Sequence, residues 1–130
     1  MVLEEFYDSL PTRPDPATDE ERTFARVLDA FRMLLHQRAA DTGLYPRTLP
    51  WRLEQAGLAE VGAEGRLVFP RGGTPGADLL HANLRQTADL LVESGVVSDA
   101  DITTFLHMLD KPEFMFALPL MVSAWGRRPA

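Results

Sequence analysis

The sequence contains no cysteine, which excludes disulfides and thiolate-bound metals. It has no surplus of positive charge either. The formal net charge is −6, whereas binding a phosphate backbone needs a basic face. Arg127-Arg128 near the C-terminal end is too short to supply one, so no nucleic-acid partner is expected. No apolar run approaches the ~20 residues of a membrane span, so no membrane partner is expected. The N-terminus shows no charged leader followed by an apolar run, hence no secretory signal. The G-x-G-x-x-G fingerprint and the Walker loop are both missing. Gly72-Gly73 lacks the further glycines of a phosphate or ribose cradle and reads as a turn at a helix entry. The histidines are His36, His81 and His107, and no two stand at the i, i+4 spacing of a helical metal site. No metal site is therefore expected. Internal repeats and low-complexity tracts are absent too. These absences fit a cytoplasmic protein.

What is present is the composition of an ordinary globular chain: 130 residues, 45% apolar and 25% charged. That length suits one domain, residues 1–130, with one real core. Residues 1–6 are short, apolar and β-compatible. Pro11, Pro14 and Pro16 then make residues 10–17 an extended connector. A helix is expected over 18–42. Thr18 and Glu21 form its capping box, and Phe24, Val27, Leu28, Phe31, Leu34 and Leu35 make its apolar stripe. Gly43 is a natural stop. A short helix over 50–56 would place Pro50 in its first turn and Gly57 at its left-handed end. Residues 58–69 read as strand, interrupted by Gly62 and Gly65, as one bulged strand or as a hairpin. Two more helices follow, over 76–94 with Leu80, Leu84, Thr87 and Leu91 in line, and over 98–109. Ser98 and Asp101 cap the latter, whose stripe is Ile102, Phe105, Leu106 and Leu109. The last strand is expected over 120–126. Phe114 to Leu118 form an irregular lead-in, because Pro119 brings no ladder donor.

Four segments resemble one family. Phe114-Met115-Phe116-Ala117-Leu118-Pro119-Leu120-Met121-Val122-Ser123-Ala124-Trp125-Gly126-Arg127-Arg128-Pro129 resembles the last strand of bacterial class I S-adenosylmethionine-dependent methyltransferases of natural-product pathways. Met1-Val2-Leu3-Glu4-Glu5-Phe6 resembles the fifth strand of that fold. Tyr45 to Leu58 and Gly65 to Pro75 resemble the stretch between them. The resemblance implies an α/β fold: a truncated Rossmann-like methyltransferase fold with about four helices. Its small mixed three-stranded sheet would follow the family's order five–seven–six, the last strand lying antiparallel in the middle. In the family, a glycine-rich loop and an acidic residue from earlier strands hold the cofactor. Neither has a counterpart here, so no cofactor-binding residue is assigned. The resemblance implies S-adenosylmethionine only where a partner completes the site, and no cofactor for the isolated chain.

It also implies an acceptor site for a small molecule. Glu4, Glu5 and Asp8 cluster where the first strand ends, and ligands of open α/β sheets sit outside the carboxyl ends of strands. Glu5 is the foremost candidate, followed by Tyr7 and Asp8. Tyr7 is an extra residue between the family's aromatic and its aspartate. Tyr45, Arg47 and Trp51 fall in the segment that lies beside the acceptor pocket in the family. Arg47 suits an acceptor carboxylate or enolate, and Trp51 suits either that pocket or plain core. Phe31, with Phe24 and Met33, either lids an apolar acceptor or covers a sheet. His36 and His81 are candidate bases, since an imidazole titrates near neutral pH and can deprotonate a hydroxyl.

The opening strand would pair on one side only, leaving an apolar edge that invites association. A homodimer or a separate cofactor-binding polypeptide is the expected remedy. Three functions fit. The chain is the acceptor half of a methyltransferase, or a cofactor-free enzyme that cyclises or isomerises a small molecule, or a non-catalytic binding module.

Overall fold

The computed structural model describes residues 2–7, 16–39 and 45–129. The chain is mixed α/β, with the elements β1 (Val2–Tyr7), α1 (Asp19–Ala39), α2 (Tyr45–Gln55), β2 (Ala59–Arg66), α3 (Pro75–Glu93), α4 (Asp99–Asp110) and β3 (Leu120–Arg127). Residues 10–15 of the expected connector and the stop at Gly43 lie outside the described residues. The chain divides into two compact units. One holds β1, α2, β2 and β3; the other holds α1, α3, α4 and the segment up to Leu118.

In the first unit the strands run in the order β1-β3-β2, and both pairings are antiparallel. The expectation of a mixed sheet fails on this point. β1 and β2 run parallel to each other, but β3 separates them, so no parallel pair forms. The β2–β3 register slips between Ala59 and Gly62, which makes β2 one bulged strand rather than a hairpin. β2 also stops at Arg66, three residues short of the expected end. Arg66 pairs with Met121, so the ladder would next reach Leu120 and then Pro119, which has no N–H to offer. Leu67, Val68 and Phe69 consequently leave the sheet as exposed residues.

α2 begins at Tyr45, not at residue 50. Pro46 takes the first turn, where a missing N–H costs nothing, and Pro50 falls inside the helix. Its ring forfeits a bond to the Pro46 carbonyl. Burial offsets that loss. Pro46, Leu49 and Leu53 share the helix's inner face, and Leu49 and Leu53 close a small core with Ala124, Leu58 and Val61. Gly57 follows with φ 82°, a left-handed stop suited to glycine.

The second unit is held by one larger core. Phe24, Val27, Leu28 and Phe31 of α1 meet Leu80, Leu84 and Leu91 of α3 and Ile102, Phe105, Met108 and Leu109 of α4. Phe114 and Phe116 of the lead-in are buried in the same core, while Met115 between them is exposed. Four aromatic rings form its centre. Phe24 stacks on Phe105 at 4.2 Å, meets Phe114 edge-on at 4.8 Å and lies 5.7 Å from Phe116.

Both capping boxes form as the sequence predicts. Thr18 Oγ1 accepts from the Glu21 N–H, and the Thr18 N–H donates to Glu21 Oε2. Ser98 and Asp101 do the same at α4. Asp101 serves twice. Its Oδ2 accepts from the Ser98 N–H at 2.8 Å and its Oδ1 accepts from Arg26 of α1 at 2.6 Å. Lys111 Nζ donates to Glu20 of α1 at 2.6 Å. The Ser98 backbone bond outweighs partial burial and, with the Ser98 hydroxyl and Arg26, holds the Asp101 carboxyl below its ordinary value. The Lys111 ammonium does the same for Glu20.

Each carboxyl therefore binds its proton more weakly in the folded chain than in the unfolded one. The stability this contributes is complete above the usual carboxylate range near ~4 and is lost as pH falls through the lowered values. The urea midpoint of the helical unit should hold from pH 7 to about 5 and drop below about 4. In Asp101→Asn that acid drop should be shallower, read by circular dichroism across the pH series.

Candidate functional site

α2 carries three of the expected acceptor residues, and the helix repeat divides them. With Pro46, Leu49 and Leu53 turned to the sheet, Arg47 and Trp51 stand one turn apart on the outer side. Trp51 is 62% exposed, so it is not core. Tyr45 belongs to a different cluster. The Arg52 guanidinium lies over its ring at 4.7 Å. Arg52 Nε donates to Thr48 Oγ1 at 2.8 Å, and Thr48 Oγ1 donates to the Tyr45 carbonyl at 2.7 Å. One face of the Tyr45 ring is thus occupied by a cation, and that face is closed to an aromatic ligand. Sequence reasoning passed over Thr48 and Arg52. Their signal was the i, i+4 spacing of a hydroxyl and a guanidinium on a helix starting at Tyr45, which the later expected start concealed.

β1 places Glu5 in register with Val122 and Tyr7 in register with Leu120. Asp8 lies outside the described residues. α2 packs against β1, β2 and β3, so Glu5, Tyr7, Tyr45, Arg47 and Trp51 belong to one unit. His36, His81 and Phe31 belong to the other. His36 and His81 are half-buried on α1 and α3. Phe31 is buried in the helical core, where it packs rather than lids.

The sheet has two unlike faces. Val122, Ala124 and Gly126 of β3 are buried, while Trp125 on the alternate face is 41% exposed. The Trp125 indole lies against the backbone of Gly62, its cross-strand partner. A Cβ at Gly62 would come within 2.8 Å of the ring. Glycine at 62 is therefore a seat for tryptophan, a role the sequence showed only as an interruption of the strand.

The helical unit has a shallow depression lined by Ala30, Met33, Leu34, Gln37, Leu91, Ser94 and Val96, with room for about 70 Å³. Its only polar side chains are an amide and a hydroxyl, and Ser94 Oγ already donates to the Leu91 carbonyl at 2.6 Å. It offers no titratable group to a reacting molecule. Among the described residues, no three His, Asp or Glu gather as a metal site, and no helix is long and apolar enough to cross a membrane.

No protein-family model matches this chain, and no curated protein matches it.

Proposed function

We propose that this chain is the acceptor-binding half of a class I methyltransferase-like fold. It would bind a small-molecule acceptor and become active when a cofactor-binding half is joined to it. The strand order is the observation that carries this reading: the C-terminal strand lies between the other two and antiparallel to both. Glu5, Tyr7, Arg47 and Trp51 belong to the same unit, with Arg47 and Trp51 on the side of α2 away from the sheet. Arg47 would hold an acceptor anion in a charge-assisted bond, Trp51 would stack on its apolar part, and Glu5 would face the methyl group. Methyl transfer is an in-line displacement at a sulfonium, so catalysis rests mainly on holding the nucleophile against the methyl. S-adenosylmethionine would be held by the joined half, from a separate polypeptide.

Titration calorimetry tests this directly. The isolated chain should show no stoichiometric binding of S-adenosylmethionine. A complex with a polypeptide bearing the glycine-rich loop should bind it, and Arg47→Ala should then raise KM for an acidic acceptor about tenfold or more. Tight binding by the isolated chain, or an unchanged KM, would sink the assignment.

A non-catalytic binding module is the second reading. The packing of Phe31 into the helical core favours it, since that stripe covers other helices rather than a ligand.

A further inference from the structure

β2 is the outer strand on its side of the sheet, with no strand beyond it among the described residues. Its two ends are built differently. The first is blunted: the register slips between Ala59 and Gly62, Glu60 adopts φ 50°, and Glu60 pairs with Arg127 at 3.2 Å. The second is regular. Ala63, Glu64, Gly65 and Arg66 follow one another opposite Ala124, Ser123, Val122 and Met121. All four are exposed. No proline, lysine or bulge guards this stretch, and its two charged residues, Glu64 and Arg66, deter pairing only where the neighbouring strand does not complement them.

Side chains on a strand alternate between faces, so Glu64 and Arg66 share one face of the sheet, two residues apart and opposite in charge. Ala63 and Gly65 occupy the other face and leave room for a neighbouring strand.

We propose that this edge pairs with β2 of a second copy of the chain, antiparallel, about a two-fold axis at Gly65. Glu64 then stands opposite Arg66 of the partner subunit, and Arg66 stands opposite Glu64 of the partner subunit. An isologous contact uses each complementary pair twice. The charges also select the register. Moving the axis to residue 64 opposes glutamate to glutamate, and moving it to residue 66 opposes arginine to arginine. Like charges directly opposite are unfavourable. The pairing joins two sheets into one of six strands, β1-β3-β2 and its two-fold copy. It uses the edge away from β1 and does not depend on the methyltransferase reading.

Sedimentation of the whole chain over a concentration series tests the pairing. A monomer–dimer equilibrium that weakens with salt is expected. Glu64→Arg alone and Arg66→Glu alone should each weaken dimerisation about tenfold, because each opposes like charges twice. An equimolar mixture of these two variants should regain the wild-type constant. One edge is then wholly positive and the other wholly negative. A wild-type chain that stays monomeric, single variants that dimerise like wild type, or a mixture no tighter than its components would each overturn the proposal. Single variants that dimerise like wild type would place any association at a different surface.

Discussion

Phe24→Ala should cost the helical unit about 4 kcal/mol, a large fraction of the ~5–15 kcal/mol available to a domain. Phe24 is 1% exposed, and its ring is the one that meets Phe105, Phe114 and Phe116 alike. Its loss removes a stacked partner from Phe105 and an edge contact from Phe114. The walls left behind belong to α4 and to the 114–116 segment. α4 is held against α1 by the Arg26–Asp101 and Lys111–Glu20 pairs. The segment is held by the bonds from Gly72 N–H to Phe114 O and from Phe116 N–H to Pro70 O. Neither wall is free to close the gap, so the cavity contribution persists on top of the lost transfer free energy. Met33→Ala on the same helix is the control. Met33 is exposed, and its loss should fall within about 0.5 kcal/mol. Both tryptophans, Trp51 and Trp125, lie in the sheet unit. Urea denaturation should therefore be followed by far-ultraviolet circular dichroism rather than tryptophan emission. Equal effects of the two substitutions would mean the aromatic cluster does not anchor the unit.

Features decided within a few residues were legible in the sequence. The capping boxes at Thr18 and Ser98 need only three-residue spacing and a hydroxyl or carboxylate, and both form. The helical stripes were legible as stripes, except that Leu35 of α1 turns out exposed. What each stripe faces was not, because periodicity reports an apolar side and not its partner. Phe31 was thus compatible with a lid and with the cover of a sheet, and it instead packs against other helices. Features decided across the chain were misjudged. The end of β2 is set by Pro119, more than fifty residues away, through the register with β3. The start of α2 was misplaced because Pro46 and Pro50 both qualify for a first turn. The choice fell to Pro46 through burial against the sheet, which no local rule reports.

The candidate site shows the same division. Arg47 and Trp51 keep the i, i+4 relation visible in the sequence, and the structure adds that they face outward. Tyr45 loses part of its expected role to Arg52, a residue seven positions on whose side chain turns back along the helix. Glu64 and Arg66 drew no attention at all. Alternating charges on a strand acquire meaning only once that strand is known to be an edge.

Gly72→Ala should be the most damaging glycine-to-alanine change among the described residues, costing about 3 kcal/mol. Gly72 is buried, and its N–H donates to the Phe114 carbonyl at 3.0 Å. A Cβ there would sit 2.1 Å from the Lys111 carbonyl oxygen and 2.6 Å from the carbonyl carbon. Those atoms are backbone at the C-terminal cap of α4, where the Lys111 N–H bonds to Met108 O and the Lys111 carbonyl accepts from Phe114 N–H. No side-chain rotation relieves the overlap. Either the turn opens or the end of α4 shifts, and both move Phe114 out of the aromatic core. Gly73 supplies the comparison. Its N–H donates to Leu109 O at 2.8 Å, its φ is 71°, and a Cβ there meets nothing within 4 Å. Gly73→Ala therefore bears only the left-handed penalty, about 1 kcal/mol. The expected order in urea denaturation is wild type, then Gly73→Ala, then Gly72→Ala. A reversed order would mean that the turn yields and α4 does not press on it. The expected order accounts for Gly72 by close packing against the end of α4 and for Gly73 by its left-handed φ.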